Sequence, residues 1–147
     1  MISLTDRRRY NAAKHGVVGM VRSLRFLGPR DNISISLVAP ALTTTAILTT
    51  PTSSFTDVAA SISAAGVPLN TPERVAEVVA YLMGLGKEAN GMGLLVQGGK
   101  VVDLERGIAG SRKSWMGEEV AKDYEEGVKG TMAVFLRLAQ SMKKGKL

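Results

Sequence analysis

The chain has no cysteine, one histidine, one tryptophan, and aromatic residues at only 5% of its 147 positions. The absence of thiols excludes disulfides, thiolate metal sites and cysteine nucleophiles. The lone histidine, His15, cannot build a metal site by itself, and no carboxylate cluster completes one. With so few aromatics, a core must be assembled from Val, Leu, Ile, Ala and Met. No run approaches the roughly 18 to 20 continuous apolar residues of a membrane helix, so no membrane partner is expected. The opening M-I-S-L-T-D-R-R-R holds no apolar stretch of signal-peptide length. The closing Gly145-Lys146-Leu147 resembles the S-K-L peroxisomal address with Gly in place of Ser. A frayed basic tail on a cytoplasmic protein is the expectation, with the peroxisome as its alternative.

What is present fits a globular protein. Hydrophobic residues make up 45% of the chain, which argues against disorder. The net charge of +6 invites a nucleic-acid reading. The basic residues are scattered, however, and none of their runs is interleaved with aromatics for base stacking. A mildly basic solvated surface, with no nucleic-acid partner, is the expectation.

Periodicity predicts a helix over residues 11–27, where Val17, Val18, Val21, Leu24 and Leu27 recur mostly at spacings of three and four. Ala12, Ala13, Gly16 and Gly19 make part of its surface small, and Gly28-Pro29 is its expected stop. Residues 33–38 alternate apolar and polar and read as a strand running on to Pro40. A Thr- and Pro-rich connection follows over residues 39–53, then a short helix over 56–65 ended by Gly66 and Pro68. Thr71-Pro72-Glu73 is a helix start: Thr71 caps, Pro72 suits the first turn, and Glu73 complements the positive helix end. Val75, Val78, Val79, Leu82 and Met83 continue it at the helical period to Gly84 and Gly86. Residues 93–96 read as a second apolar strand, and Gly98-Gly99 as a turn. From Arg106 onward the chain is charged and broken by glycines, with surface helices over 117–124 and 132–142. There is no internal repeat and no coiled-coil heptad. This order is part of an α/β pattern with parallel crossovers. Two strands are too few for a parallel sheet to stand alone, so it reads as the end of a larger sheet.

Tyr10-Asn11-Ala12-Ala13-Lys14 carries the chemistry. On a helix, positions i and i+4 share a face. A free phenol is a poor base at neutral pH, and a nearby ammonium favours its ionised form. Such a tyrosine can pass a proton to or from an alcohol or ketone oxygen. The spacing alone is common. Its context is not: Y-N-A-A-K-H-G-V-V-G-M-V-R-S-L-R, then N-I-S-I-S-L-V-A-P-A-L-T-T-T-A-I-L, then G-M-G-L-L-V-Q-G-G. These linked motifs resemble the short-chain dehydrogenase/reductase family over roughly residues 7–104. The run Thr45-Ala46-Ile47-Leu48 looks most like its prostaglandin-dehydrogenase-type branch.

The resemblance implies a fold and roles. The fold would be the C-terminal part of a Rossmann-like doubly wound parallel α/β sheet, occupying residues 1–104, with a helical extension over 105–147. Tyr10 would donate or accept the proton. Lys14 would support Tyr10 and hold the nicotinamide ribose. Pro40 would shape the turn beside the nicotinamide, and Thr45 would contact the cofactor's carboxamide or phosphates. Residues 49–69 would form the substrate loop. The cofactor would be NAD or NADP, and the substrate a small alcohol or ketone. The implied enzyme is an alcohol dehydrogenase or ketoreductase, of the kind found in secondary metabolism.

The departures are equally specific. Only nine residues precede Tyr10, so the N-terminal dinucleotide-binding half with its glycine-rich turn has no counterpart, nor have the family's catalytic Ser and structural Asn. Ser3 stands too close to Tyr10 to serve. Ala41 replaces the usual Gly after Pro40. Gly84-Leu85-Gly86-Lys87-Glu88-Ala89 fits G-x-G-x-x-A but follows a helix and precedes a strand, the reverse of a phosphate turn. Trp115 and the Glu118/Glu119 pair lie outside the matched region, and a surface helix start accounts for the glutamates. The chain by itself is therefore expected to be a truncated, inactive part of an oxidoreductase that works as a homo-oligomer or with a complementing chain. A non-catalytic dimerisation partner of a full-length relative is the alternative, and a lyase or isomerase using Tyr10 without nicotinamide a third reading.

Overall fold

The computed structural model describes residues 4–26, 28–46 and 58–143. Two compact units divide the chain, Met1–Arg106 and Gly107–Leu147.

The first unit is built on a three-stranded sheet of order β1-β2-β3, with β1 Leu37–Pro40, β2 Gly93–Gln97 and β3 Lys100–Asp103. β2 is central. It pairs parallel with β1, Leu37 opposite Gly93 and Pro40 opposite Val96, and antiparallel with β3, Leu94 opposite Asp103. Its Gly93, Leu94 and Val96 are buried, which is why G-L-L-V reads as a continuous apolar run. The parallel pair needs a crossover. It is made through α3 (Val58–Ala64) and α4 (Pro72–Leu85), with a 3₁₀ turn over Gly86–Ala89 leading into β2. Val78 and Leu82, one helical turn apart on α4, pack with Leu94, Val96 and Ala89 to form the core, flanked by Val38, Leu85 and Met92.

The sequence misses β3. A segment of K-V-V-D has two apolar residues and no periodicity to read. Its signal was the turn: Gly98 and Gly99 have φ of +54° and +75°, the two-residue hairpin geometry that suits a right-twisted ribbon. Gly98 is required twice over, because a Cβ there would sit 2.7 Å from the Cβ of Pro68. The first strand also begins later than expected, at Leu37 rather than residue 33, although Gly91 N–H still bonds Ile35 C=O at 2.7 Å.

Helix α1 runs over Leu4–Leu24, both starting and stopping earlier than periodicity implied. Gly28-Pro29 opens a short helix, α2 (Gly28–Asp31), instead of closing α1. The carboxyl end of α1 is anchored. Arg22 grips Glu105 through Nε (3.0 and 3.1 Å) and Nη2 (2.7 Å), and Arg25 adds a contact at 3.6 Å. Asn90 bonds the Arg25 carbonyl at 2.9 Å and receives Ile35 N–H at 3.1 Å. By contrast, Arg8 to Val17 are exposed, and among the described residues nothing lies within 4 Å of a Cβ placed at Gly16 or Gly19.

Asn70 joins the connections at the carboxyl ends of β1 and β2. It is 1% exposed and fully bonded. Its Nδ2 donates to Val96 C=O at 2.8 Å, and its Oδ1 accepts Gly99 N–H at 3.0 Å. Its backbone N–H bonds Leu42 C=O at 2.8 Å, and its carbonyl takes both the N–H (2.9 Å) and the hydroxyl (2.8 Å) of Thr44. Thr71 then caps α4 as expected, accepting Arg74 N–H at 3.2 Å, while Arg74 Nε reaches Gly99 C=O at 2.8 Å.

The second unit contains most of α5 (Leu104–Met116) and all of α6 (Glu118–Lys143). Asp103 caps α5 through Arg106 N–H at 2.8 Å. Gly117, at φ +83°, separates the two helices, and Ala121 is fully buried. The two short surface helices expected here are one 26-residue helix. Gly127 and Gly130 read as breaks, but each costs only about 1 kcal/mol relative to Ala.

Two adjacent α4 residues separate core from surface. Leu82→Ala is expected to destabilise the chain by about 2–5 kcal/mol, whereas Met83→Ala, at a side chain 76% exposed, should change it by no more than about 0.5 kcal/mol. Urea denaturation of the two variants checks this. Asn70→Ala strands the Gly99 N–H, at about 1–3 kcal/mol, and leaves the Val96 carbonyl with the Ala41 N–H alone. Amide exchange at Gly99 should accelerate while that at Arg25 stays unchanged.

Candidate active site

Tyr10 and Lys14 lie one turn apart on the solvent face of α1. The Lys14 Nζ sits 5.4 Å from the centroid of the Tyr10 ring, within cation–π range. Tyr10 is 62% exposed, so its side chain is open to solvent. His15, next along the helix, turns its Nδ1 to the Asn11 carbonyl at 2.8 Å and takes no part in the pair.

Pro40 is the exposed last residue of β1, at the carboxyl end of the parallel pair. In open α/β sheets, the crevice outside the carboxyl ends of the strands is where ligands bind. The loop that follows is held on both sides. Ala41 N–H bonds Val96 C=O at 2.9 Å, Thr43 Oγ1 bonds Ala41 C=O at 2.9 Å, and Thr43 bridges to Asn70. Thr45 follows as an exposed residue. Ala41 does not adopt a positive φ, so this turn does not require the glycine that the sequence lacks.

The structure thus brings Tyr10 together with Lys14, and it puts Pro40 and Thr45 on one latched loop. A shallow groove of about 280 Å³ lies between Ser34, Ser36 and Val38 on one side and Val79, Leu82 and Met83 on the other. None of the four expected site residues lines it. Ile47 and Leu48 of the Thr45–Leu48 run lie outside the described residues, as do residues 49–57 of the expected substrate loop and the Gly-Lys-Leu end. The rest of that loop contains α3, whose described part ends at Ala64, one residue earlier than expected.

Sequence reasoning missed Asn70, Arg74 and Asn90. For Asn70 a signal existed: a polar residue between Leu69 and the Thr71-Pro72 helix start. Its partners, however, are 26 and 29 residues away. The decoy Gly84–Ala89 segment is a helix stop, with Gly86 at φ +55° donating its N–H to Met83 C=O.

The donor set fits the nicotinamide half of a dinucleotide: an exposed ammonium, an exposed phenol and a hydroxyl-bearing loop at the carboxyl end of a parallel pair. The described residues contain no strand, glycine turn and helix in that order for the pyrophosphate.

No family profile matches the chain, and no solved structure matches it. Curated proteins do. The short-chain dehydrogenase/reductase prx4 of Penicillium rubens is 34% identical over 125 residues, covering 74% of this chain and 36% of that protein. Its counterpart in Penicillium roqueforti matches to the same extent, 34% identical over 125 residues. An acetoacetyl-CoA reductase of Acinetobacter is 35% identical over 94 residues, covering 61% of this chain and 36% of that protein. The chain spans about a third of the length of the curated relatives it matches. The order of its linked motifs, its partial Rossmann-like α/β sheet and these relatives agree: the chain belongs to the short-chain dehydrogenase/reductase family.

Proposed function

We propose that the protein is an NAD(P)-dependent oxidoreductase that interconverts an alcohol and a ketone, and that this chain supplies its proton-transferring face. The observation that carries this reading is the Tyr10–Lys14 pair, an open phenol with an ammonium 5.4 Å from its ring centre, on a chain whose relatives include a protein named as a reductase.

The chemistry a bound reduced nicotinamide supplies is a hydride for the carbonyl carbon. Tyr10 gives its phenolic proton to the carbonyl oxygen as the C=O double bond becomes a C–O single bond, and solvent returns a proton to the phenolate. Lys14 opposes the negative charge left on the phenol oxygen and offers a donor to the ribose hydroxyls. The Asn70-latched loop holds Pro40 and Thr45 at the carboxyl end of β1, where a hydroxyl donor meets a carboxamide or phosphate. In the oxidative direction the same proton runs back. The pyrophosphate part of the dinucleotide needs a glycine-rich turn, which we assign to the rest of the enzyme, in the same polypeptide or in a complementing one. The 147 residues alone are then inactive.

A second reading rests on the open face of α1, where Ala12, Ala13 and Gly16 are exposed. A helix of a full-length relative could pack there closely, making this chain a regulator without turnover.

In the native protein, Tyr10→Phe should lower the rate of ketone-dependent consumption of reduced dinucleotide by about 10²- to 10⁴-fold while dinucleotide binding by calorimetry persists. Lys14→Met should lower the rate and also weaken dinucleotide binding. A Tyr10→Phe protein with undiminished turnover refutes the assignment. A wild-type protein without turnover that co-purifies with a longer relative supports the regulator instead.

A further inference from the structure

The apolar face of α6 is open over most of its length, and it is wide. Its first turns are used within the unit: Ala121 is fully buried, and the Arg112 guanidinium lies 4.9 Å from the centre of the Tyr124 ring. From Val128 onward the face meets solvent, with Phe135 63% and Met142 70% exposed. At roughly 3.6 residues per turn, Val134, Leu138, Met142, Phe135, Val128 and Leu136 sweep an arc of about 200° over residues 128–142. Thr131 is the one polar residue within that arc. A helix that packs on a core or on one neighbour needs a stripe of about 100°. Val134 and Leu136, both exposed, stand at opposite edges of the arc, about 160° apart. A single packed helix would leave one edge or the other wet. A planar apolar medium takes both.

The charges identify the medium. Residues 127–147 hold five basic residues and no acidic one, while the other 126 residues hold fourteen basic and thirteen acidic. Nearly all of the net charge of +6 therefore belongs to the end of the chain that carries the open face. Within the helix, Lys129 and Arg137 fall on the narrow polar side, opposite the apolar arc. The acidic residues of α6, Glu118, Glu119, Asp123, Glu125 and Glu126, all precede Val128. An anionic surface attracts the later turns and repels the earlier ones. No helix among the described residues is long and apolar enough to cross a membrane. Lying on one needs only an apolar face with a cationic back.

We propose that α6 docks on an anionic lipid bilayer through residues 128–142. The arc from Val134 to Leu136 enters the boundary between headgroups and acyl chains, and the basic residues sit in the headgroup layer. The two signals act together, since a short apolar face or a few cations alone bind weakly and reversibly. The acidic first turns stay clear of the surface and leave Ala121 and Tyr124 in their contacts within the unit. None of the four expected site residues lies on α6, so this docking stands apart from the redox reading.

Flotation of the intact protein with vesicles of phosphatidylcholine carrying about one-third phosphatidylserine tests this. The protein should float, and pure phosphatidylcholine should bind it at least about tenfold more weakly. Raising the salt from about 0.1 M to about 1 M, where the screening length falls from about 10 Å to about 3 Å, should weaken binding by about tenfold or more. Phe135→Gln combined with Leu138→Gln, both at exposed positions, should weaken it by about tenfold or more without adding charge, while circular dichroism stays unchanged. Trp115 is the one tryptophan, so Phe135→Trp in a Trp115→Phe protein reports the face alone, and its emission should shift to the blue on the anionic vesicles. Equal binding to neutral vesicles would overturn the proposal. So would binding untouched by the paired glutamines. So would failure to float, whether or not sedimentation then showed two copies together.

Discussion

The first unit depends on one buried amide. Asn70 is the point where the strand ends, the crossover and the hairpin turn meet, because its side chain bonds both Val96 C=O and Gly99 N–H while its backbone bonds Leu42 and Thr44. Val96 C=O also accepts Ala41 N–H, so both of its lone pairs are used. A small three-stranded sheet has little apolar area with which to fix its loops. A fully satisfied polar residue does this by geometry, since any displacement of the loop strands a buried group. The loop held in this way is the one that carries Pro40 and Thr45, so the core constraint and the candidate site are connected through the same residue.

Glu105 plays a smaller version of this part at the other end of the unit. It receives Arg22 as a fork and Arg25 as a second cation, and so ties the carboxyl end of α1 to the start of α5. Among the described residues, these contacts hold the carboxyl end of α1. The turns bearing Tyr10 and Lys14 stand clear of the described core, a disposition suited to meeting a substrate or another polypeptide.

Legibility in the sequence followed the range of the interactions. The Thr71 cap and the Tyr10–Lys14 spacing are decided within four residues and were read correctly. β2 was legible because burial on both faces left an unbroken apolar run. β3 was not, because its four residues carry two valines and owe their pairing to the Gly98-Gly99 turn. α5 and α6 were broken up on paper by glycines at 107, 110, 127 and 130, which the helices tolerate. Asn70 was overlooked for a different reason: its place before the Thr71-Pro72 helix start marks it only as a polar residue, and nothing within a helical turn of it reveals that Val96 and Gly99 bond its amide. Of the four expected site residues, the sequence could place Tyr10 and Lys14 together by helical spacing alone. Seeing that Pro40 and Thr45 share one latched loop required the sheet.

The central claim is that Tyr10 and Lys14 and the loop from Pro40 to Thr45 face one dinucleotide. Hydrogen–deuterium exchange of the protein purified from the cells that make it, with and without saturating reduced dinucleotide, tests this most directly. The account predicts that protection appears together in peptides spanning Tyr10–Lys14 and Pro40–Thr45, with α6 unchanged. Protection confined to other segments in a protein that turns over would contradict it.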